Sequence, residues 1–254
     1  MEDQPDYGML DITEVTLKAK QGLGGAYQCI GDDGSRYWVK GHNAERKFQV
    51  NEWVTAHLAE AFSLPIASFR LVHIDEQLHL YLPTDFKEIG FGPAFASKDA
   101  AGAAWFMPET MHPPETLQQD LLVFDYWVQN EDRTNGNPNL LWLTETGQLV
   151  VIDHNLAFDE DFSTEVFFGA TDSDTQQPHI FHHLKDAVFT DLVKVDEYKQ
   201  RMSVAMSALE IAFSSIPDEW YYSDLEQHYS AEIDLDDYRA ILNRYQIEDF
   251  WSIK

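Results

Sequence analysis

A polar stretch between two apolar runs carries the residue types that could do chemistry. Residues 130–137, NEDRTNGN, follow the run LLVFDYWV and precede LLWL. Asp132 and Asn137 are five residues apart, which is the spacing of a loop whose carboxylate orients an attacking hydroxyl and whose amide oxygen holds a metal. Asp153 follows the apolar run VVI and offers a second carboxylate for Mg²⁺. The pattern indicates phosphoryl transfer, and the alternative is an ordinary polar turn.

The residues upstream of this loop supply the other parts that phosphoryl transfer needs. Lys40 ends the predicted strand RYWVK, and Glu52 lies on the helix predicted to follow, so the two could form a Lys–Glu ion pair that serves the α and β phosphates of ATP. Gly22, Gly24 and Gly25, between two predicted strands, would let the backbone approach phosphate closely. Each feature also has a structural interpretation: a solvated lysine, a solvated helix face and a hairpin turn.

Hydropathy patterns predict the elements that must position these residues. The N-terminal part is predicted to form strands joined by turns up to Lys40. A helix is predicted over residues 45–62, because apolar residues recur there at helical spacing. SFRLVHI and LHLYL indicate two more strands, joined by the turn DEQ. Residues 84–116, rich in Gly, Ala and Pro, are predicted to be an irregular connection.

The second half of the chain is predicted to be mainly helical. Leu117, Leu121, Phe124 and Val128 form a helical stripe ahead of the polar loop. LLWL and LVVID predict a hairpin across TETG. DEYKQRMSVAMSALEIAF, SDLEQHYS and DLDDYRAILNRY are predicted to be surface helices. The sequence thus predicts an α+β fold with a β-rich N-lobe, residues 1–83, and a larger helical C-lobe, residues 84–254.

Composition restricts the class of partner. The formal net charge of −27 opposes direct binding to nucleic acid or to an anionic membrane surface, since both need Lys and Arg to neutralise phosphates. No apolar run is long enough to span a bilayer, and the acidic start does not resemble a signal peptide, so a cytoplasmic location is expected. The single Cys29 excludes an internal disulfide and a Cys-rich zinc site.

Three further interpretations concern Arg133 and four of the histidines. Arg133 is expected to brace the loop rather than touch a substrate. His154 is expected to pack beside Asp153 rather than act as a base. His179, His182 and His183 are interpreted as exposed histidines at a helix start, the alternative being a metal site, which would need more ligands.

The motifs resemble those of HipA-like kinases, a group whose active-site loop is also similar to that of phosphatidylinositol kinases. The resemblance covers about residues 13–160, and Thr134 stands where family loops often have His. The family pattern NxDRxxxN matches Asn130, Asp132, Arg133 and Asn137; the metal motif matches Ile152-Asp153-His154; and the early pattern matches Asp33-Gly34, Tyr37, Val39-Lys40, Asn51-Glu52 and Leu58-Ala59.

This resemblance implies a two-lobed protein-kinase-like fold that binds ATP and Mg²⁺ between its lobes. It implies a protein Ser/Thr kinase, with Asp132 as the catalytic residue, Asn137 and Asp153 as Mg²⁺ ligands, and Lys40, Glu52 and the glycines at the nucleotide. A small regulatory partner of the toxin–antitoxin type is also implied. The alternatives are a kinase-fold ATP-binding protein with little turnover, and a small-molecule or lipid phosphotransferase, for which a cationic small substrate such as an aminoglycoside suits the negative charge.

Overall fold

The computed structural model describes residues 9–19, 25–170 and 177–253, which form two compact units. The barrel unit comprises the described residues within Met1–Trp53, Ala67–Asp99 and Ile216–Ile233. The helical unit comprises those within Val54–Ile66, Ala100–Ser215 and Asp234–Lys254. The predicted α+β class is confirmed, whereas the predicted division into lobes at residue 83 stays a prediction.

A closed five-stranded barrel forms the barrel unit. Its strands in chain order are β1 (Leu10–Lys18), β2 (Tyr27–Gly31), β3 (Arg36–Lys40), β4 (Phe69–Ile74) and β5 (Gly92–Lys98). Around the barrel the order is β1-β2-β3-β5-β4. Strands β1 and β4 pair in parallel, and the other neighbours pair antiparallel. The barrel has no free strand edge among these five strands, because closure pairs each of them on both sides.

Side-chain alternation along the strands fills the barrel core. On β3, Tyr37 and Val39 are buried and point into the barrel, because successive side chains of a strand lie on opposite faces. The apolar residues that line this core are Leu10, Ile12, Val15, Tyr27, Cys29, Tyr37, Val39, Val72, Ile74, Ala94 and Ala96. The alternation leaves Lys40 on the face opposite Val39, so the strand itself determines the direction of the lysine side chain.

Helix α1 (Arg46–Ala61) follows the barrel's third strand within the predicted range. The prediction of a strand at LHLYL is wrong: residues Glu76–Tyr81 form helix α2. The carboxylate of Asp75 accepts hydrogen bonds from the backbone N–H groups of Gln77 and Leu78 and so caps the helix. The alternating leucines of this stretch imitate a strand pattern, but the cap starts a helix.

The prediction that residues 84–116 are irregular is also wrong in part. Thr84–Ile89 form a 3₁₀ helix, β5 completes the barrel, and β6 (Ala103–Trp105) joins a second sheet. In β5 the buried residues include Ala94 and Ala96. Small side chains suit the tight barrel interior, and their low hydrophobicity hides the strand from a periodicity argument.

The helical unit contains a three-stranded sheet and helix α3 (Glu115–Trp127). Strands β7 (Leu140–Leu143) and β8 (Gln148–Val151) form the predicted hairpin, and β6 pairs with β7. All residues of α3 from Leu121 to Trp127 are buried, so the second half of the helix lies in the core of the unit. The segment that leads into the polar loop is therefore held by packing on every side.

The remaining helices of the helical unit follow β8. They are α4 (Thr164–Phe167), α5 (Lys185–Phe189), α6 (Leu192–Ala205), α7 (Leu209–Ser214), α8 (Leu235–Asn243) and α9 (Glu248–Trp251). The predicted helix at SDLEQHYS is wrong, because the carboxylate of Asp224 accepts from the backbone of His228 and Tyr229 and holds a turn instead. None of the helices in the described ranges is long and apolar enough to cross a membrane.

Candidate active site

The polar loop, residues 130–137, begins directly after α3 ends. Gln129 takes a left-handed conformation with φ 55°, and the backbone N–H of Asn130 donates to the carbonyl of Asp125 at 2.9 Å. Together these turn the chain out of the helix. Helix α3 is buried, so it fixes the first residues of the loop and thereby the position of Asp132.

Asp132 lies half-buried, and amide groups hold its side chain. Its Oδ2 accepts hydrogen bonds from the Nδ2 of Asn137 at 2.8 Å and of Asn139 at 2.9 Å. Burial raises the pKa of Asp132, the two amides lower it, and the charge of Asp153 raises it again, for a net upward shift. A carboxylate that is oriented by amides, less well solvated and raised in pKa suits a group that orients or deprotonates a hydroxyl.

The structure brings three of the predicted residues together. Asn137 is exposed and contacts Asp132 directly, and the charge of Asp153 acts on the same carboxylate. Strand β8 ends at Val151, two residues earlier than VVID indicated, and Asp153 takes a left-handed conformation with φ 60°. Such a conformation is uncommon for a residue other than glycine and occurs often at functional sites.

The donor set around Asp132 fits Mg²⁺ of the nucleotide-bound kind. The amide oxygen of Asn137 and the carboxylate of Asp153 are hard oxygen ligands, and Mg²⁺ commonly uses one or two protein carboxylates with substrate phosphates and water. Across the described residues no group of three or more His, Cys, Asp or Glu is arranged to hold a metal ion. A site that depends on a nucleotide needs no such protein cage.

Arg133 braces the loop from within the core, as expected. Its side chain is fully buried, and its Nε donates to Asp125 Oδ2 at 2.7 Å. Its Nη1 donates to the carbonyls of Pro138, Asn139 and Ile152, the shortest at 2.6 Å to Asn139. One guanidinium thus joins helix α3 to the backbone on both sides of the β7–β8 hairpin.

Asp125 is the acceptor at the centre of this arrangement. It is fully buried. Besides Arg133, its carboxylate accepts from Asn130 Nδ2 at 2.9 Å and from His179 Nε2 at 3.1 Å. Burial raises the pKa of Asp125, but the charge of Arg133 and the hydrogen bond from His179 outweigh this and hold it below its usual range.

The structure agrees with the interpretation of His154 but not with that of His179. His154 packs as expected: it is buried, its ring lies edge-on to Phe124, and its Nε2 accepts from Arg133 Nη2 at 3.1 Å. His179 is only 1% exposed, so the interpretation of an exposed histidine is wrong for it. The carboxylate of Asp125 provides the partner that a buried imidazole needs.

The sequence did not lead to a role for Asp125, and it indicated an exposed position for His179. Asp125 is the single charged residue in the apolar run LLVFDYWV, and a carboxylate inside a buried helix signals a buried partner. Nothing in the sequence shows that the partner from the far segment is His179, because 54 positions separate the two residues.

Lys40 and Glu52 form a close ion pair within the barrel unit. Their side chains are 13% and 5% exposed, so neither is the solvated surface residue of the alternative interpretation. A buried Glu beside a strand Lys holds the ammonium group in one direction. The pair therefore presents a fixed cation at the end of β3.

The predicted glycine turn lies partly outside the described residues. Gly22 and Gly24 belong to the segment that the structure does not describe. Gly25 has φ 47°, and its carbonyl accepts a hydrogen bond from Asn43 Nδ2 at 2.8 Å. The loop that follows Lys40 thus holds the last residue of the turn.

The two units carry the parts of a kinase-type phosphotransferase: a buried Lys–Glu pair on a β-barrel, and an Asp–Asn loop with a following Asp in a helical unit. Residues 12–254 match the family described as HipA-like kinase. The chain belongs to the HipA-like kinase family.

Two solved kinase structures are similar to the chain, and the first of them shares its fold. The Helicobacter pylori proinflammatory kinase CtkA is 13% identical with a TM-score of 0.56, over 94% of this chain and 94% of that one. A Golgi casein kinase is 12% identical with a TM-score of 0.47, over 96% of this chain and 71% of that one. The comparison with curated proteins yields no match.

Proposed function

We propose that the protein is an ATP- and Mg²⁺-dependent protein Ser/Thr kinase. The observation that carries the proposal is Asp132, a half-buried carboxylate oriented by two amides and close enough to Asp153 for that charge to raise its pKa. Membership of a kinase family supports the reaction class. The protein acceptor is inferred from the family resemblance together with the charge.

Each residue has a defined role in the proposed reaction. Asp132 accepts a hydrogen bond from the hydroxyl of the acceptor and orients it, or takes its proton, as the oxygen attacks the γ-phosphate of ATP. Lys40, held by Glu52, contacts the α and β phosphates. Asn137 and Asp153 would hold Mg²⁺, which when bound neutralises charge on the phosphates.

The net charge of −27 supports a basic acceptor or partner, since opposite charge speeds encounter and like charge opposes it. We propose a basic protein segment as the acceptor, a small regulatory partner, and a cytoplasmic location. A cationic small molecule stays the second candidate acceptor, because the same charge attracts it. A panel of basic peptides and aminoglycosides, each with Mg²⁺ and ATP, distinguishes the two.

Paired variants test the roles of the two carboxylates. Asp132→Asn should lower phosphate transfer by about 100-fold or more and leave the affinity for Mg-ATP unchanged. Asp153→Asn should weaken Mg²⁺-dependent binding of ATP as well as transfer. Calorimetric titration with and without Mg²⁺ measures the binding, and Asp161→Asn, at an exposed position, is the matched control. Full activity in both carboxylate variants would refute the assignment.

A further inference from the structure

The 177–181 segment lies along the polar loop and is bonded to it at several points. The backbone N–H of Ile180 donates to the carbonyl of Arg133 at 2.9 Å. The Oε1 of Gln177 accepts from the N–H of Gly136 at 3.0 Å, and residues 134 and 179 form a β-bridge. The loop that carries Asp132 and Asn137 therefore has a second strand-like neighbour besides the helix from which it emerges.

A single buried histidine fixes this segment to the core. The N–H of Phe181 donates to His179 Nδ1 at 3.2 Å, so Nδ1 is an acceptor and carries no proton. The proton of the neutral ring is then on Nε2, which donates to Asp125 Oδ2 at 3.1 Å. Burial and the charge of Arg133 lower the pKa of His179, Asp125 raises it, and the net shift is downward, which agrees with the neutral ring. The ring also stacks on Phe167 with centroids 4.9 Å apart.

The carboxylate oxygen of Asp125 that binds His179 also accepts a hydrogen bond from the polar loop. Asp125 Oδ2 accepts from Arg133 Nε at 2.7 Å as well as from His179, and Oδ1 accepts from Asn130 at 2.9 Å. The register between the loop and the 177–181 segment is thus determined at one buried acceptor. A shift of His179 would move the groups that hold Gly136, next to Asn137.

We propose that Asp125 and His179 are positioning residues, which hold the polar loop in register with the 177–181 segment so that Asp132 and Asn137 are aligned for transfer. The inference rests on the proposed function. It assigns neither residue a contact with ATP or with the acceptor. Their loss therefore lowers turnover much more than it lowers ATP affinity, because misplacement of a reacting group by about 1 Å costs on the order of 100-fold in rate.

Two substitutions at His179 separate positioning from general destabilisation. His179→Phe keeps an aromatic ring for the stack on Phe167 and removes the donor to Asp125. His179→Gln carries an amide N–H near the place of Nε2 and keeps the donor. We expect His179→Phe to lower kcat by about 10- to 100-fold, with a much smaller change in the KM for ATP. We expect His179→Gln to recover most of that loss.

Tyr198→Phe is the matched control in the same unit. It removes the hydrogen bond from a buried tyrosine to Asp120, 2.9 Å long, and touches neither the loop nor the segment in the contacts described. Its melting temperature falls, and its kcat should stay that of the wild type. If His179→Phe and Tyr198→Phe lower kcat equally at equal melting temperature, or if His179→Gln is as slow as His179→Phe, the positioning role is wrong.

Amide hydrogen exchange tests the structural part without any turnover. In the wild type, peptides covering residues 130–137 and 177–181 should be protected. In His179→Phe they should exchange faster, with the rest of the helical unit unchanged. If these peptides exchange alike in both proteins, the proposal is overturned even for an active enzyme. If the exchange of these peptides differs between the two proteins but the wild type transfers no phosphate, His179 does hold the loop and the segment together, and the proposed kinase function is wrong.

Discussion

Replacing Arg133 with Met removes the cation from a fully buried ion pair. Both side chains of the Arg133–Asp125 pair are 0% exposed. Met has a similar length and no polar head, so the substitution keeps much of the packing. It leaves the carboxylate of Asp125 with the hydrogen bonds of Asn130 and His179 but without a compensating charge.

The size of the effect follows from the partners that are lost. Removing one member of a buried pair costs about 3–5 kcal/mol. Up to three backbone carbonyls also lose their Arg133 donor, and each one left unsatisfied in the core costs about 1–3 kcal/mol. Proton uptake by Asp125 reduces the total. We expect the free energy of unfolding to fall by about 3–6 kcal/mol, a large part of the roughly 5–15 kcal/mol of a typical protein.

Urea denaturation at fixed pH measures this change. Arg239→Met is the control, because the Arg239–Glu210 pair is 37% and 71% exposed and its loss should cost under about 1 kcal/mol. Asp125→Asn with Arg133→Met completes a double-mutant cycle, in which the double variant should lose less than the sum of the two single variants. The buried Arg133–Asp125 pair would not have the expected strength if Arg133→Met lowered the free energy of unfolding as little as the control does. The same would hold if the losses of the two single variants were strictly additive.

Three further outcomes follow from other parts of the chain. Gly41→Ala should lower the melting temperature in calorimetry, since a Cβ at Gly41 would lie 2.2 Å from the carbonyl oxygen of Ile89; an unchanged melting temperature would contradict this. Lys40→Met should raise the KM for ATP by about 10- to 100-fold, the equivalent of one charged hydrogen bond. Glu52→Gln should raise the KM less, and an unchanged KM in both variants would show that the Lys40–Glu52 pair does not contact the nucleotide. Burial lowers the pKa of His179, so below about pH 6.5 the native state binds fewer protons than the unfolded state. The contribution of His179 to stability is therefore present above that pH and is lost on acidification. Urea denaturation at several pH values should therefore show a flatter decline below about pH 6.5 in His179→Gln than in the wild type, and equal slopes would count against a buried neutral ring.

Periodicity predicted the elements whose pattern is long or regular. Helix α3 and the β7–β8 hairpin follow directly from apolar spacing. The pattern failed at LHLYL, where Leu78, Leu80 and Leu82 alternate as in a strand, yet Leu80 and Tyr81 are 62% and 89% exposed. A strand would have needed a partner for its edge and a buried face, and the local Asp75 cap required neither.

Contacts of the candidate site that are local in sequence could be predicted, and contacts between distant segments could not. The spacing of Asp132 and Asn137 reflects one loop, and the structure joins them by a direct hydrogen bond. The link from Asp125 to His179 crosses 54 positions and depends on how the chain after β8 returns to the loop. Three-dimensional packing decides such a pairing, and neither spacing nor composition contains it.

Transfer of labelled γ-phosphate from Mg-ATP is the direct test of kinase activity that depends on Asp132. The purified wild type and Asp132→Asn are incubated with ATP, alone and with added lysate, after equal ATP binding by the two proteins has been established. We predict labelled protein with the wild type and at most about one hundredth of that label with Asp132→Asn. Equal label with both proteins, or none with the wild type despite ATP binding and added lysate, would contradict it.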